Sequence, residues 1–195
     1  MPKPTQKELK AQKSKIKSLT ASIGEGGTLT ERQMCTIVRS AIRKAWMRSP
    51  VKLLKLELAK VPDNREKTRT KWLMPCEHCD TLYPLKNIQV DHIKGEHKLT
   101  GLDDISGYAN SVLNVSLDDL QILCKPCHEI KTLAERQGLT LEEAKVEKEL
   151  IAYFKKNKVD KQKKDLLEFG YEGKEVSNLT KRKDLIRKLL KEGQM

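Results

Sequence analysis

Four cysteines stand in two Cys-x-x-Cys pairs, Cys76/Cys79 and Cys124/Cys127. They lie on either side of an Asp91-His92 dipeptide, and His128 follows the last cysteine directly. Cys-x-x-Cys presents two thiolates on one tight turn, and two such turns can close a tetrahedral zinc site without other ligands. Closure would draw two distant segments into one small module and bring Asp91, His92 and His128 towards a common point. Structural zinc has no use for that cluster, whereas phosphodiester hydrolysis does. That reaction needs a base to deprotonate water, a divalent cation to neutralise charge on the phosphate and leaving oxygen, and a scaffold holding both. A histidine, with an ordinary pKa of about 6.5, suits the first role. A carboxylate beside an imidazole suits the second and leaves coordination positions open. The residues alone leave other uses open: the cysteines as redox or unligated thiols, Asp91-His92 as a surface loop, and His128 as a zinc ligand or helix cap. His78 reads as exposed or as support for the zinc ligands, and His97 as solvated or as an auxiliary phosphate contact.

The elements that must position these groups are short. Residues 72–93 read as strand-like pieces around the first cysteine pair, with Leu82-Tyr83 and Ile88-Gln89-Val90 as a hairpin bending near Pro84. Lys94 to about Ser116 reads as a long polar loop. Leu120–Leu123 is an apolar run into the second cysteine pair. Pro126 suits the first turn of a helix that carries His128 and Lys131 and stops at Gly138. Upstream, Thr28/Glu31 and Thr30/Gln33 are overlapping capping boxes. They open a helix with Met34, Ile37, Val38, Ala41, Ile42 and Ala45 as its apolar stripe, Arg39 and Arg43 off that stripe, and Ser49-Pro50 at its end. Cys35 reads as a small buried hydrophobe, and Trp46 and Trp72 as packing residues. Thr140/Glu143 opens a further helix, and Leu185, Ile186, Leu189 and Leu190 mark a last amphipathic one.

The chain carries a formal charge of +12 over 195 residues, distributed unevenly. Residues 1–75 hold 18 basic against 6 acidic side chains, residues 76–131 hold 5 against 9, and residues 132–195 hold 16 against 12. A negative centre between positive flanks suits a cation-binding middle whose neighbours grip a polyanion; the plainer reading of the basic tail is solubility. No apolar run approaches the roughly 20 residues of a membrane span, and Met1-Pro2-Lys3-Pro4 leads into a lysine-rich pattern unlike a secretory signal. The expectation is a soluble protein of a reducing cytoplasm. With 4% aromatic and 34% charged residues, a large packed core is not expected.

Val90-Asp91-His92-Ile93, followed by Asp119-Leu120-Gln121-Ile122-Leu123-Cys124-x-x-Cys127-His128-x-x-Lys131-Thr132, resembles the HNH endonuclease signature. The similarity is closest to phage-type members with two Cys-x-x-Cys pairs, and Ile42–Pro50 is similar to the basic helix that precedes the motif in them. The resemblance implies an α+β, mainly α chain with a ββα-metal core. Its expected organisation is a basic arm (1–27), a helical basic region (28–71), the zinc-stabilised nuclease module (72–137) and a helical basic extension (138–195). It implies structural zinc on Cys76, Cys79, Cys124 and Cys127, a catalytic magnesium or manganese on Asp91 and His128, and His92 as general base. The family's middle position is usually Asn, whose side chain braces the loop carrying the base; Asp119 stands there, with Asn114 a second candidate. Arg39, Arg43 and Lys131 are the expected nucleic-acid contacts. The implied substrate is DNA, double-stranded, cut or nicked to 5′-phosphate and 3′-hydroxyl ends, with a homodimer or phage packaging proteins as further partners and an infected host cytoplasm as the setting. The competing reading is a non-catalytic zinc module that binds DNA or a partner such as a packaging complex.

Overall fold

The computed structural model describes residues 3–66, 68–95 and 98–195; His97 lies outside them. In chain order the elements are α1 (Gln6–Ala21), α2 (Glu31–Trp46), α3 (Pro50–Leu58), β1 (Val61–Pro62), β2 (Trp72–Pro75), β3 (Leu82–Pro84), β4 (Ile88–His92), α4 (Ile105–Leu113), β5 (Leu120–Cys124), α5 (Lys125–Gln137), α6 (Leu141–Lys156), α7 (Val159–Glu168) and α8 (Leu179–Lys191). The chain is thus mainly helical with small sheets. Among the described residues no helix is long and apolar enough to cross a membrane.

The strands pair differently from the expected hairpin. β3 joins β2, antiparallel, with Met74 opposite Tyr83 and Pro75 opposite Leu82; β1 adds on the other side of β2. β4 pairs instead with β5. The tight turn at the first cysteine pair closes β2 onto β3, and a 3₁₀ turn at Leu85–Asn87 then redirects the chain. A second correction concerns the expected polar loop, which contains α4. Tyr108 and Val112, one helical turn apart, are its buried residues.

The chain divides into two compact units, Met1–Ala59 with His92–Gln121, and Lys60–Asp91 with Ile122–Met195. In the first unit, Thr30 and Gln33 form the expected capping box of α2. Thr28 lies outside that helix, and the Glu31 carboxylate accepts from the Leu102 amide at 3.0 Å. The buried face of α2 is Cys35 and Trp46, with Val38 and Ile42 half-buried, whereas Ile37, Ala41 and Ala45 are exposed. The stripe is therefore rotated from the expected one, so that α2 packs on α4. α1 has its own capping box, from Thr5 and Glu8, but buries no residue. Trp72, in the second unit, is exposed.

In the second unit, α5 begins at the second cysteine pair with Pro126 in its first turn. It ends at Gly138 (φ 65°), a left-handed cap that a side chain would strain. Leu133 and Ala134 pack against Ala144 of α6. Leu150, Leu166, Val176, Ile186 and Leu189 form a further core across α6, α7 and α8. Leu166→Ala or Ile186→Ala should cost about 2–5 kcal/mol, as cavities in a packed core do. Leu9→Ala or Ile16→Ala on α1 should stay within about 0.5 kcal/mol. Chemical denaturation of the four variants checks this, and equal costs would contradict the burial.

Candidate metal centre

In the second unit, β2 delivers Cys76 into a turn held by the Cys76 amide on Thr81 O (3.0 Å) and the Asp80 amide on Cys76 O (2.8 Å). Asp80 takes the left-handed conformation (φ 54°) that lets so short a turn present two thiols. β5 ends in Cys124, which occupies the N-cap position of α5, and Cys127 follows in the helix's first turn. The four sulfurs lie within 4.8 Å of one another. Cys79 Sγ and Cys124 Sγ are 4.0 Å apart, about twice a disulfide bond, and all four thiols are free. A zinc ion about 2.3 Å from each of four sulfurs sets neighbouring sulfurs about 3.8 Å apart, so the donor set fits a zinc-type metal in number, chemistry and spacing.

The electrostatics point the same way. The neighbouring Thr81 amide draws the Cys79 thiol down to about 7, while burial pushes the Cys124 and Cys127 thiols up. The charge of Cys124 beside Tyr83 pushes that phenol up to about 12. Crowded, partly buried thiols ionise together only when a cation neutralises them, and zinc deprotonates the thiols it binds. Sequence reasoning missed Glu77, which joins the two cysteine segments. Its amide donates to Ile122 O (2.8 Å) and its carboxylate accepts from the Ile122 amide (3.0 Å). His78 is exposed.

Two residues of α5 meet the end of β4 in the same unit. His128 Nε2 lies 3.6 Å from Asp91 Oδ1, and Lys131 Nζ lies 2.9 Å from Asp91 Oδ2. Lys131 also pairs with Glu135, one turn further along α5. Burial opposes the Lys131 charge, yet Glu135 and Asp91 outweigh it and hold the ammonium above its ordinary pKa. Asp91 and His128 thus come together, while Lys131, an expected nucleic-acid contact, bonds Asp91 and Glu135.

His92 belongs to the first unit and is buried there, with Trp46 against its ring at 4.5 Å between centroids. Its Nε2 lies 3.1 Å from Val112 O. A carbonyl only accepts, so Nε2 carries the proton and Nδ1 is the basic nitrogen of the neutral ring. A cleft of about 300 Å³ opens beside it, lined by His92, Lys94, Ser111, Asn114, Asp118 and Asp119 among others. Both candidates for the middle position therefore face His92's cleft. The Asp119 carboxylate accepts from the amide and hydroxyl of Ser116 at 2.8 and 2.7 Å, closing a 3₁₀ turn. It is the Asp119 main-chain carbonyl that holds the segment after the histidine, through the Ile93 amide at 2.8 Å. Arg39 and Arg43, expected on phosphates, also bond within this unit. Arg39 donates to Leu99 O (2.7 Å) and Arg43 Nε to the Tyr108 hydroxyl (3.0 Å).

No protein-family model, no curated protein and no solved structure matches the chain.

Cys76→Ser and Cys124→Ser should each lower zinc content and solubility, since three remaining ligands forfeit much of the metal's contribution to folding. His92→Ala should leave zinc content unchanged. Metal analysis of the purified variants decides, and cysteine variants that stay folded with about one zinc per chain would refute the clamp. A pH test concerns Asp119, whose carboxyl the Ser116 amide and hydroxyl hold below its ordinary 3.8. A lowered folded pKa gives stability that is present above the unfolded value and lost as pH falls through the folded one. The Tm difference between parent and Asp119→Ala should therefore be full at pH 7 and shrink below about pH 4; a constant difference would contradict the bond.

Proposed function

We propose that this chain is a zinc-stabilised endonuclease of the HNH type, hydrolysing phosphodiester bonds of duplex DNA with one magnesium or manganese ion. The observation that carries the reading is the 3.6 Å approach of His128 Nε2 to Asp91 Oδ1 at the start of the helix that the cysteine cluster anchors. A cation about 2.0–2.1 Å from each atom spans that distance, and two protein ligands leave positions for water and phosphate oxygens. Asp91 and His128 would hold the ion, which when bound would neutralise charge on the phosphate and the departing 3′ oxygen.

His92 follows Asp91 in the chain and is the general base. Val112 O fixes its tautomer so that Nδ1 takes the proton from water, and Trp46 restrains the ring. Lys94 brings positive charge to the cleft beside His92, and Asn114 and Ser111 supply polar groups there. The products are 5′-phosphate and 3′-hydroxyl ends. One such centre cuts one strand at a time, so a double-strand break takes two chains or two successive nicks.

Relaxation of supercoiled plasmid in magnesium or manganese tests the proposal. The parent should nick, and His92→Ala and His128→Ala should each lose about 10²-fold or more, the range for removing a proton-transfer group or a metal ligand. Retained DNA binding without cleavage by the parent would identify the chain as a non-catalytic zinc module instead.

A further inference from the structure

Lys131 raises a question that the nuclease reading leaves open. Its ammonium sits 2.9 Å from Asp91 Oδ2, on the carboxylate that also faces His128, and its side chain is only 15% exposed. Glu135, exposed and one turn along α5, offers the same ammonium a second carboxylate. Resting on the nuclease reading, we propose that Lys131 is a resident cation at Asp91, neutralising the carboxylate from Oδ2 until the divalent ion arrives on Oδ1 and then withdrawing towards Glu135.

The exchange is driven by electrostatics. Asp91 carries one negative charge, which a divalent ion and an ammonium on its two oxygens would have to share at a separation of a few ångströms. Repulsion between cations at that range is large in a partly buried site, because solvent screening is weak there. The ammonium neutralises part of the charge of this partly buried carboxylate. Spacing makes the exchange feasible. His128, Lys131 and Glu135 fall at i, i+3 and i+7 on one face of α5, so Lys131, already paired with Glu135, has only to release Asp91.

Manganese binding to the zinc-loaded full chain, followed by electron paramagnetic resonance of the free ion, tests this without reference to activity. Asp91→Ala supplies the background. Lys131→Met, which keeps the length and removes the charge, should tighten manganese binding about tenfold, within the ordinary range for coupled ligands. Lys131→Gln serves as a second variant should the first lose its fold. Glu135→Gln should weaken binding several-fold by stranding the ammonium on Asp91, and should do so much less in the Lys131→Met background. Unchanged or weaker binding in both Lys131 variants would overturn the resident-cation role, since a merely structural lysine would weaken the site. Equal binding by parent and Asp91→Ala would overturn the metal site itself, and with it both readings.

Discussion

Convergence of four thiols on one point is the constraint from which the rest of the second unit follows. The chain is poor in aromatic residues and rich in charge, so apolar burial around β2–β5 is limited to a few residues such as Leu73, Met74 and Ile122. A zinc ion held by sulfurs already within 4.8 Å would contribute on the order of 10–16 kcal/mol of apparent binding energy, more than such a core supplies. Because Cys124 and Cys127 straddle the start of α5, the clamp fixes where that helix begins. His128 follows within its first turn, and Lys131 and Glu135 lie on the same face. The face turned towards Asp91 is thus set by where the cysteine cluster starts the helix.

The first unit is organised by a different requirement, the burial of an imidazole. A buried polar ring without a partner costs roughly 1–3 kcal/mol, and His92 meets that demand with Val112 O, while Trp46 covers its face. Among the described residues no buried side-chain nitrogen or oxygen lacks a partner. α4 is therefore the element that presents the carbonyl fixing the histidine's tautomer, and Arg39 and Arg43 of α2 tie down the segment around it. Two arginines that look like phosphate contacts in the sequence also act as struts within the unit, and Lys94 lines the cleft beside the histidine.

Features with local causes were legible in the sequence. The cysteine pairs, the Thr30/Gln33 and Thr140/Glu143 boxes, Pro126 and Gly138 each act within one turn, and each appears where expected. Features decided by distant partners were not. Which strand pairs with Leu82–Pro84 depends on the knuckle turn, and nothing in the strand itself encodes the choice. α4 escaped because Gly107, Asn110 and Ser111 dilute its apolar pattern, leaving Tyr108 and Val112 as isolated signals. α8 shows the limit most sharply: Arg182 stands in a run of basic residues that reads as a solvated face. Yet it is buried and donates to Gln162 Oε1 and to the Val176 and Ser177 carbonyls. At the candidate site, the residue types and the Asp91–His128 approach were legible, whereas the pairing of Lys131 with Asp91 and the engagement of Asp119 with Ser116 were not. Both depend on side-chain partners chosen by packing.

X-ray absorption at the zinc edge of the purified chain tests the central claim most directly, because it reports ligand type and distance around the metal. The account predicts a single shell of four sulfurs at about 2.3 Å. A mixed shell, with a nitrogen or oxygen near 2.0–2.1 Å in place of a sulfur, would mean that His128 or a carboxylate belongs to the structural site. It would then be unavailable to the proposed second cation, and the all-cysteine clamp would fail.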